Sequence, residues 1–206
     1  MRGRFITVEG TDGAGKSTQI DMLVSFLEEK GVKSIVTREP GGTEISEKLR
    51  EIILDPQNKK MTDITEAMLY AAARAQHVEE KIIPALKEGI FVICDRFVDS
   101  SIAYQGYARG IDINMIESIN SYAVCQIVPD VTLFFDLSPE KGISRKKNMH
   151  ELDRIEQEKI DFHKKVYFGY QQLLEKYPER IKRINADDTI ENVHRQVVDV
   201  IEKMLK

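Results

Sequence analysis

A short glycine-rich string near the start of the chain constrains its fold more than any other feature. The residues GTDGAGKS at 10–17 match the pattern G-x-x-x-x-G-K-[ST]. They follow an apolar run at 5–8 and precede a helical pattern that starts near Gly15. Backbone N–H groups in such a loop converge on an anion, and the helix N-terminus adds partial positive charge. The string therefore predicts a site for the phosphates of a nucleoside triphosphate.

Short apolar segments alternate with longer helical patterns along the rest of the chain. Such segments are typical of strands buried on both faces of a parallel sheet. The predicted strands cover residues 5–8, 32–37, 90–94, 131–135 and 180–184. Because strands that alternate with helices pair in parallel through right-handed crossovers, the pattern predicts an α/β fold with a five-stranded parallel doubly wound sheet flanked by helices.

Size and composition narrow the class of protein. With 206 residues, 42% of them hydrophobic, the chain has enough apolar side chains for one globular domain, expected to span residues 1–206. A formal net charge of −4 gives no general attraction to nucleic acid or to an anionic membrane, so neither is an expected partner. No apolar run approaches the roughly 20 residues of a membrane span. Cys94 and Cys125 lie far apart in the sequence, so we expect them to be free, mostly buried thiols. Free thiols are typical of a reducing compartment, and we therefore expect a cytoplasmic location.

Three segments do not fit a plain helix or strand. Residues 62–88 form one long helical pattern, in which Pro84 should cause a kink or mark a junction. Residues 99–109 are too polar for a core and too aromatic for an ordinary loop. Residues 145–154 are highly charged with little apolar periodicity.

A phosphate-binding loop alone does not distinguish hydrolysis, switching and phosphoryl transfer. A guanine-nucleotide switch would need the base-reading motif N-K-x-D, and the nearest string, NKKM at 58–61, lacks the aspartate. Four arginines lie on segments that border the predicted ligand edge of the sheet: Arg38, Arg50, Arg74 and Arg96. Each alone is typical of a solvated surface, but together they suggest a clamp for a second anionic substrate.

Successive strings of the chain resemble the signatures of thymidylate kinase, a P-loop nucleoside monophosphate kinase-like family. They are REPGG at 38–42, TEAMLYAAAR at 65–74, DRF at 95–97 followed by SS at 100–101, AYQG at 103–106 and ELDR at 151–154. The likeness runs in order over about residues 5–187, nearly the whole chain, and several of the strings are specific to this family.

The resemblance implies transfer of the γ-phosphoryl group of ATP to dTMP, a step in dTTP synthesis for DNA replication. It also implies a P-loop kinase fold, Mg²⁺ bound with ATP as co-substrate, and a homodimer. Two alternatives stay open: another small P-loop kinase acting on a different nucleotide or a deoxynucleoside, and a non-catalytic ATP-binding regulator. The arginine set argues against the regulator, because a sensor of ATP needs no second phosphate clamp.

The resemblance also assigns roles to individual residues. The ATP-binding residues would be Gly10, Thr11, Asp12, Gly13, Ala14, Gly15, Lys16, Ser17 and Thr18. The metal would be held by Ser17 and Asp95. The dTMP-binding residues would be Asp12, Arg38, Arg50, Tyr70, Arg74, Arg96, Ser101, Tyr104 and Gln105. The catalytic residues would be Asp12, Lys16, Asp95, Arg96, Arg145 and Arg154.

Within the dTMP site, the resemblance implies distinct contacts with phosphate, sugar and base. Tyr70 stands where the family usually has a phenylalanine stacked on thymine, although an ordinary core tyrosine is the alternative. Ser101 and Gln105 would read the base, Tyr104 would crowd a ribose 2′-hydroxyl, and Asp12 would hold the sugar 3′-hydroxyl. The phosphate would be surrounded by Arg38, Arg74 and Arg96.

The resemblance implies that the cation that acts on the transferred phosphate comes from a short mobile lid at about residues 145–154, and the polar composition of this segment agrees with mobility. Gly13 stands where one branch of the family has an arginine inside the loop. Arg145 and Arg154, helped by Lys147, are therefore the candidates, although Met149 stands where a further arginine is expected. Arginine suits this role better than lysine because its planar guanidinium makes bidentate contacts with phosphate oxygens.

Overall fold

Parallel strands form one five-stranded sheet in the computed structural model, which describes residues 2–146 and 153–205, without the side chain of Lys146. The strands are β1 (Phe5–Gly10), β2 (Ser34–Arg38), β3 (Phe91–Asp95), β4 (Val131–Asp136) and β5 (Ile181–Asn185). Their order across the sheet is β2-β3-β1-β4-β5, and each neighbouring pair is parallel. The predicted α/β fold with a five-stranded parallel sheet is confirmed.

Helices precede and follow these strands along the chain. They are α1 (Lys16–Glu29), α2 (Glu44–Leu54), α3 (Asp63–His77), α4 (Ile83–Lys87), α5 (Val98–Ser101), α6 (Ile113–Ala123), α7 (Pro139–Lys146), α8 (Ile160–Lys176) and α9 (Ile190–Leu205). Wider π-type turns connect α3 to α4 at Val78–Ile82 and follow α5 at Ile102–Ala108. None of the described helices has both the length and the apolar character needed to cross a membrane.

Strand β1 lies in the middle of the sheet and is buried along its whole length. On one face, Ile6 packs in an apolar cluster with Leu23 of α1 and with residues of α9. On the other face, Phe5 packs against Phe97 with ring centroids 4.9 Å apart. Side chains alternate along a strand, so Glu9 points to the same face as Phe5. Helices α5 and α8 cover this second face, and they surround the end of β1 where the glycine-rich loop begins.

The long helical pattern over residues 62–88 is present, but it is not uniform. Helix α3 ends at His77, π-type turns follow, and α4 carries Pro84 in its first turn. Proline has no N–H and its ring crowds the preceding turn, so an ordinary helix cannot continue through it. The N–H of Ile83 instead bonds the carbonyl oxygen of Val78, five residues earlier. Pro84 therefore marks a junction, one of the two expected outcomes, and the junction consists of π-type turns.

Residues 99–109 are mostly helical and buried, so the expectation that they are too polar for a core is wrong. Ser100 and Gln105 are each less than a tenth exposed. Ser100 Oγ donates to Glu9 at 2.6 Å, and Gln105 Nε2 donates to Glu66 at 2.9 Å. Polar side chains are stable in a core when their hydrogen-bond partners are buried with them. The local composition of the segment did not reveal these partners.

The two cysteines differ in exposure. Cys94 is buried in β3, as expected, whereas Cys125 follows α6 and is exposed, so the expectation of a mostly buried thiol is wrong for Cys125. Both thiols are free. Burial raises the pKa of Cys94 well above its usual value. A hydrogen bond from Cys125 Sγ to Glu79, 3.3 Å long, raises the pKa of Cys125.

We expect the folded protein to present one fast-reacting thiol. Cys125 should react with a maleimide in the folded protein because it is exposed, although its raised pKa lowers the thiolate fraction. Cys94 should react only after denaturation because its Sγ is buried in the sheet. Labelling kinetics followed by intact-mass measurement check this, with Cys125→Ser as the control that removes the fast phase. Fast modification of Cys94 in folded Cys125→Ser protein would contradict the burial.

Candidate active site

The glycine-rich loop between β1 and α1 forms a cradle at the carboxyl edge of the sheet. Gly15 precedes α1 in a left-handed conformation with φ 83°, and the first turn of α1 borders a cavity there. Helix N-termini bind anions through their unpaired N–H groups. Gly13 is also left-handed, with φ 76°, and a Cβ there would lie 2.2 Å from the carbonyl oxygen of Gly142 in α7. Only glycine fits, because the loop and α7 are in backbone contact.

Lys16, the first residue of α1, reaches back across this loop. Its Nζ donates to the carbonyl oxygens of Gly10 at 3.2 Å and Thr11 at 3.1 Å. Burial and the nearby Arg96 lower its pKa, while neighbouring Asp95 and other carboxylates oppose that shift. A buried ammonium beside a nest of N–H donors is well suited to phosphate oxygens.

The loop opens into a cavity of about 490 Å³ at the carboxyl ends of β1, β2 and β3. Ligands of open α/β sheets bind at this edge. The predicted site residues that line it are Asp12, Gly13, Ala14, Gly15, Lys16, Ser17, Thr18, Arg38, Arg50, Tyr70, Asp95, Arg96, Tyr104, Gln105 and Arg145. Gly10 and Thr11 lie outside this lining, and they contact Lys16 through their carbonyl oxygens.

Arg96 follows β3 and has an unusual backbone. Its φ of 69° is left-handed, a conformation that costs a non-glycine residue energy and is often found at functional sites. Nη2 donates to Asp12 at 2.7 Å, and Nη1 lies 3.3 Å from both Ser100 Oγ and Tyr170 OH. Although burial opposes the charge, the neighbouring carboxylates of Asp12 and Asp95 hold the pKa of Arg96 well above its usual value. The guanidinium is thus charged and fixed at the cavity wall.

Two further arginines reach the cavity from β2 and α2. Arg38 pairs with Glu47 at 2.9 Å, and Arg50 Nη1 donates to the carbonyl oxygen of Pro40 at 2.8 Å. Burial and repulsion from Arg38 lower the pKa of Arg50. An anion bound near both guanidinium groups would relieve this repulsion, so the pair favours an anionic ligand.

Aromatic and amide side chains form a less charged part of the wall. Tyr70 on α3 is half-buried and lines the cavity, so it is not an ordinary core tyrosine. Tyr104 is buried more deeply. Burial raises the pKa of both phenols, which therefore stay neutral. The hydrogen bond from Gln105 to Glu66 fixes the orientation of the Gln105 amide at the wall.

The structure does not bring Arg74 and Ser101 to the described lining of the cavity. Arg74 is 1% exposed and donates to Glu39 at 2.6 Å, to Ser101 at 3.0 Å and to the carbonyl oxygen of Phe97 at 3.0 Å. It also donates to Asn120. These bonds engage all three guanidinium nitrogens with groups inside the fold, and the expected contact of Arg74 with a ligand stays a prediction.

The predicted lid is described only at its two ends. Lys147 and Met149 lie outside the described residues, so their predicted places are not tested. Arg145, near the end of α7, lines the cavity and is partly exposed. Its Nη1 donates to the carbonyl oxygen of Ala186 at 3.4 Å. The structure therefore brings Arg145 to the site as expected from the sequence.

Arg154 belongs instead to a buried cluster around Glu66. Its Nε donates to the carbonyl oxygen of Ile53 at 2.8 Å, and its Nη2 lies 2.7 Å from Glu66 Oε2. Arg109 Nη2 donates to the same carboxylate at 3.0 Å. Burial opposes ionisation of Glu66, but the hydrogen bonds from Arg109 and Gln105 hold its pKa below the usual value. Arg154 is thus engaged away from the described cavity lining.

Asp95 and Ser17 are the residues best suited to hold a metal ion. Asp95 Oδ1 is buried without a hydrogen-bond partner among the described groups, and both side chains line the cavity. A buried, unpartnered carboxylate oxygen is costly, and carboxylate and hydroxyl oxygens are ligands that Mg²⁺ accepts. Glu39, His77 and Cys94 also place ligand atoms within 4.8 Å of one another, but Glu39 and His77 hydrogen-bond each other at 3.0 Å.

Sequence reasoning missed part of the cavity wall. The missed residues are Glu39, Pro40, Leu54, Ser100, Asp153, Ile155 and Glu156. It also missed Glu9, which is fully buried directly before the glycine-rich loop. A charged residue that extends an apolar strand was the available signal, because carboxylates are rarely buried without a partner. Ser100, rather than the predicted Ser101, lines the cavity.

The chain is similar to known proteins along nearly its whole length. A family model described as thymidylate kinase matches residues 8–197. A thymidylate kinase from Exiguobacterium sp. is 52% identical over 199 residues, which cover 97% of this chain and 94% of the relative. One from Clostridium novyi is 52% identical over 198 residues, covering 95% and 97%. A crystal structure of thymidylate kinase from Ehrlichia chaffeensis is 33% identical, with a TM-score of 0.80 over 98% of this chain and 99% of that one.

Proposed function

Because the chain belongs to the thymidylate kinase family and is therefore an enzyme that phosphorylates dTMP, we propose that the phosphoryl group comes from the γ-position of ATP. The observation that carries this proposal is the meeting of the glycine-rich loop with Arg38, Arg50 and Arg96 around one cavity. Phosphoryl transfer requires two anionic substrates to be held in line while the charge on the transferring oxygens is neutralised. The cavity offers separate cationic groups for each substrate.

The ATP phosphates bind at the glycine-rich loop and the first turn of α1. Lys16 neutralises charge on the transferring group, and its buried position next to the loop supports this role. Ser17 and Asp95 hold Mg²⁺, a role supported by the unpartnered Oδ1 of Asp95. When bound, the metal supplies further charge neutralisation on the phosphate oxygens. The residues that contact ATP are Gly10, Thr11, Asp12, Gly13, Ala14, Gly15, Lys16, Ser17 and Thr18.

The dTMP molecule occupies the other part of the cavity. Arg96 binds its phosphate together with Arg38 and Arg50, and the Arg96–Asp12 pair lies between the two substrates. Asp12 holds the sugar 3′-hydroxyl. On the less charged wall, Tyr70 stacks on thymine, Gln105 reads the base and Tyr104 crowds a ribose 2′-hydroxyl. Arg74 and Ser101 support this wall from inside the fold, since Arg74 ties Ser101 to Glu39.

The family resemblance also leads us to propose how the protein is organised. Residues 1–206 form one kinase domain with a lid at about residues 145–154, and two copies form a homodimer in the cytoplasm. Exposed apolar side chains on α2 and α3 offer surface for a partner copy. They are Ile45, Ile52, Ile64 and Met68.

A coupled assay of ADP release tests the proposed reaction. We expect release that requires both ATP and dTMP and is much slower with dUMP, dCMP or thymidine. Lys16→Ala should keep the melting temperature but lower kcat by about 100-fold or more, because it removes a positive charge at the transferring phosphate. A preference for another nucleotide would indicate a different small P-loop kinase. ATP binding without ADP release would indicate a regulator.

Substitutions at Tyr70 test the thymine contact. Tyr70→Phe should be nearly silent, because it keeps the aromatic face, whereas Tyr70→Ala should weaken dTMP binding by about 1–3 kcal/mol. ATP binding should be almost unchanged in both variants. Titration calorimetry with each nucleotide measures the effects. Equal losses for dTMP and ATP in Tyr70→Ala would mean that Tyr70 supports the fold and does not touch the base.

Arg145 and Arg154 should respond differently to the same substitution. Arg145→Ala should lower kcat by about 10-fold or more at unchanged stability, because it removes a cation at the cavity. Arg154→Ala should instead lower stability by about 1–3 kcal/mol, because it takes a donor from buried Glu66. Steady-state kinetics and denaturant unfolding measure the two effects, and each variant is the control for the other. Normal turnover in Arg145→Ala would place the catalytic cation elsewhere.

A further inference from the structure

Glu9 is a buried carboxylate to which the reaction described above gives no role. It is 0% exposed, and it precedes the glycine-rich loop by one residue at the end of β1. Its Oε1 accepts the N–H of Phe97 at 2.7 Å. Its Oε2 accepts Ser100 Oγ at 2.6 Å and Tyr170 OH at 2.8 Å. The carboxylate therefore joins β1 to α5, α8 and the turn that carries Arg96.

Strand β1 holds the backbone on both sides of Arg96. The N–H of Arg96 donates to the carbonyl oxygen of Val8 at 2.9 Å, and the next N–H along the chain, that of Phe97, donates to Glu9. The left-handed conformation of Arg96 is unfavourable for a side chain with a Cβ, and it persists only where its surroundings determine it. The Val8 carbonyl oxygen and the Glu9 carboxylate, both on β1, hold the backbone of Arg96 in this conformation.

The same carboxylate fixes the hydroxyl protons beside the Arg96 guanidinium. Ser100 Oγ and Tyr170 OH lie 2.9 Å from each other and 3.3 Å from Arg96 Nη1. A guanidinium only donates, so the two hydroxyls must accept from it. An ionised Glu9 only accepts, so the hydroxyl protons stay directed toward Glu9 or toward each other. Lone pairs of both oxygens are thereby left for Arg96.

We propose that Glu9 is a positioning residue that holds Arg96 in place for the phosphate of dTMP, through the Phe97 N–H and through the hydroxyls of Ser100 and Tyr170. This inference rests on the role of Arg96 under the proposed function. Protonation of Glu9 would add a proton to the group of oxygens that Arg96 contacts and would remove the negative charge that accepts the Phe97 N–H. Both changes weaken the hold on the guanidinium.

The surroundings of Glu9 give this role a pH signature. Burial and repulsion from Asp99 raise the pKa of Glu9 to about 7, and Arg96 opposes this shift. The titratable or charged groups that interact with Glu9 are Asp99 on α5, Arg96 after β3, Lys16 on α1, Cys94 on β3, Tyr104 after α5, Tyr170 on α8 and Arg180 before β5. Protonation of Glu9 should weaken dTMP binding as the pH falls through about 7.

The test compares wild type with Glu9→Gln from about pH 6 to about pH 9, a range that brackets the expected titration. Glutamine keeps the shape and accepts the Phe97 N–H, but it has no charge and adds a donor beside the hydroxyls. We expect kcat/KM for dTMP to fall about 10- to 100-fold at high pH, as for a displaced positioning group. The KM for ATP should be unchanged. In Glu9→Gln, the fall in kcat/KM for dTMP on acidification through about pH 7 should disappear. The separate fall caused by protonation of the substrate phosphate, near about pH 6, should remain.

Two further variants separate positioning from general support of the fold. Thr7→Val is the matched control, because Thr7 lies on the same face of β1 and is equally buried, but its hydroxyl bonds Thr132 at 2.7 Å. It should leave the KM for dTMP and the pH profile unchanged. Asp99→Asn removes the repelling charge and should move the acid-side fall to lower pH. This shift tests the proposal even if Glu9→Gln does not fold.

Arg96→Ala distinguishes failure of this inference from failure of the proposed function. If Arg96→Ala leaves the KM for dTMP unchanged, Arg96 does not bind the dTMP phosphate and both proposals fall. If Arg96→Ala raises that KM while Glu9→Gln keeps the wild-type KM and pH profile, Glu9 does not position Arg96. Equal effects of Thr7→Val and Glu9→Gln on the KM for dTMP would likewise overturn the inference.

Discussion

The ligand edge of the sheet depends on the pairing of charges that the fold buries. Moving a charged side chain out of water costs several kcal/mol, so each buried charge needs a partner of fixed geometry. Arg74 and Glu39, 2.6 Å apart, join α3 to the loop after β2. Arg109 and Arg154 converge on Glu66 and tie the turns after α5 and the end of the proposed lid to α3. The position of the cavity wall is therefore set largely by buried ion pairs that lie between the wall and the rest of the fold.

Because of this constraint, the arginines fall into two classes: those that contact groups inside the fold and those that border the cavity. Arg74 and Arg154 are buried against carboxylates and carbonyl oxygens that hold them inside the fold. Arg38 and Arg50 reach the cavity, where burial and, second, repulsion from Arg38 lower the pKa of Arg50. Arg96 has features of both classes, because its guanidinium hydrogen-bonds Ser100 and Asp12 and also borders the cavity. A pre-organised cation of this kind needs no rearrangement when charge develops in a reaction.

The fold could be predicted from the sequence because its signals are local. The glycine-rich string, the apolar strands and the helical periodicities each lie within a short segment, and the parallel sheet follows from their alternation. Local signals did not reveal two things: partners that are distant in sequence, and the direction of individual side chains within a helix. Arg74 meets Glu39 across 35 residues. Ser100 and Ser101 are adjacent, but successive helical residues point about 100° apart, so that only Ser100 reaches the cavity. Local composition contains neither kind of information.

The backbone contact between the loop and α7 explains why position 13 of the loop carries no cationic side chain, so that under the proposed function any cation besides Lys16 comes from outside the loop. A Cβ at Gly13 would lie 2.2 Å from the Gly142 carbonyl oxygen, and a Cβ at Gly142 would lie 2.2 Å from the Asp12 carbonyl oxygen. No side chain fits on either partner unless α7 moves away. The same close approach fixes the start of α7 against the loop, and three residues later α7 carries Arg145 to the cavity. A loop without a side chain at position 13 and a helix that delivers Arg145 are therefore two consequences of one packing constraint.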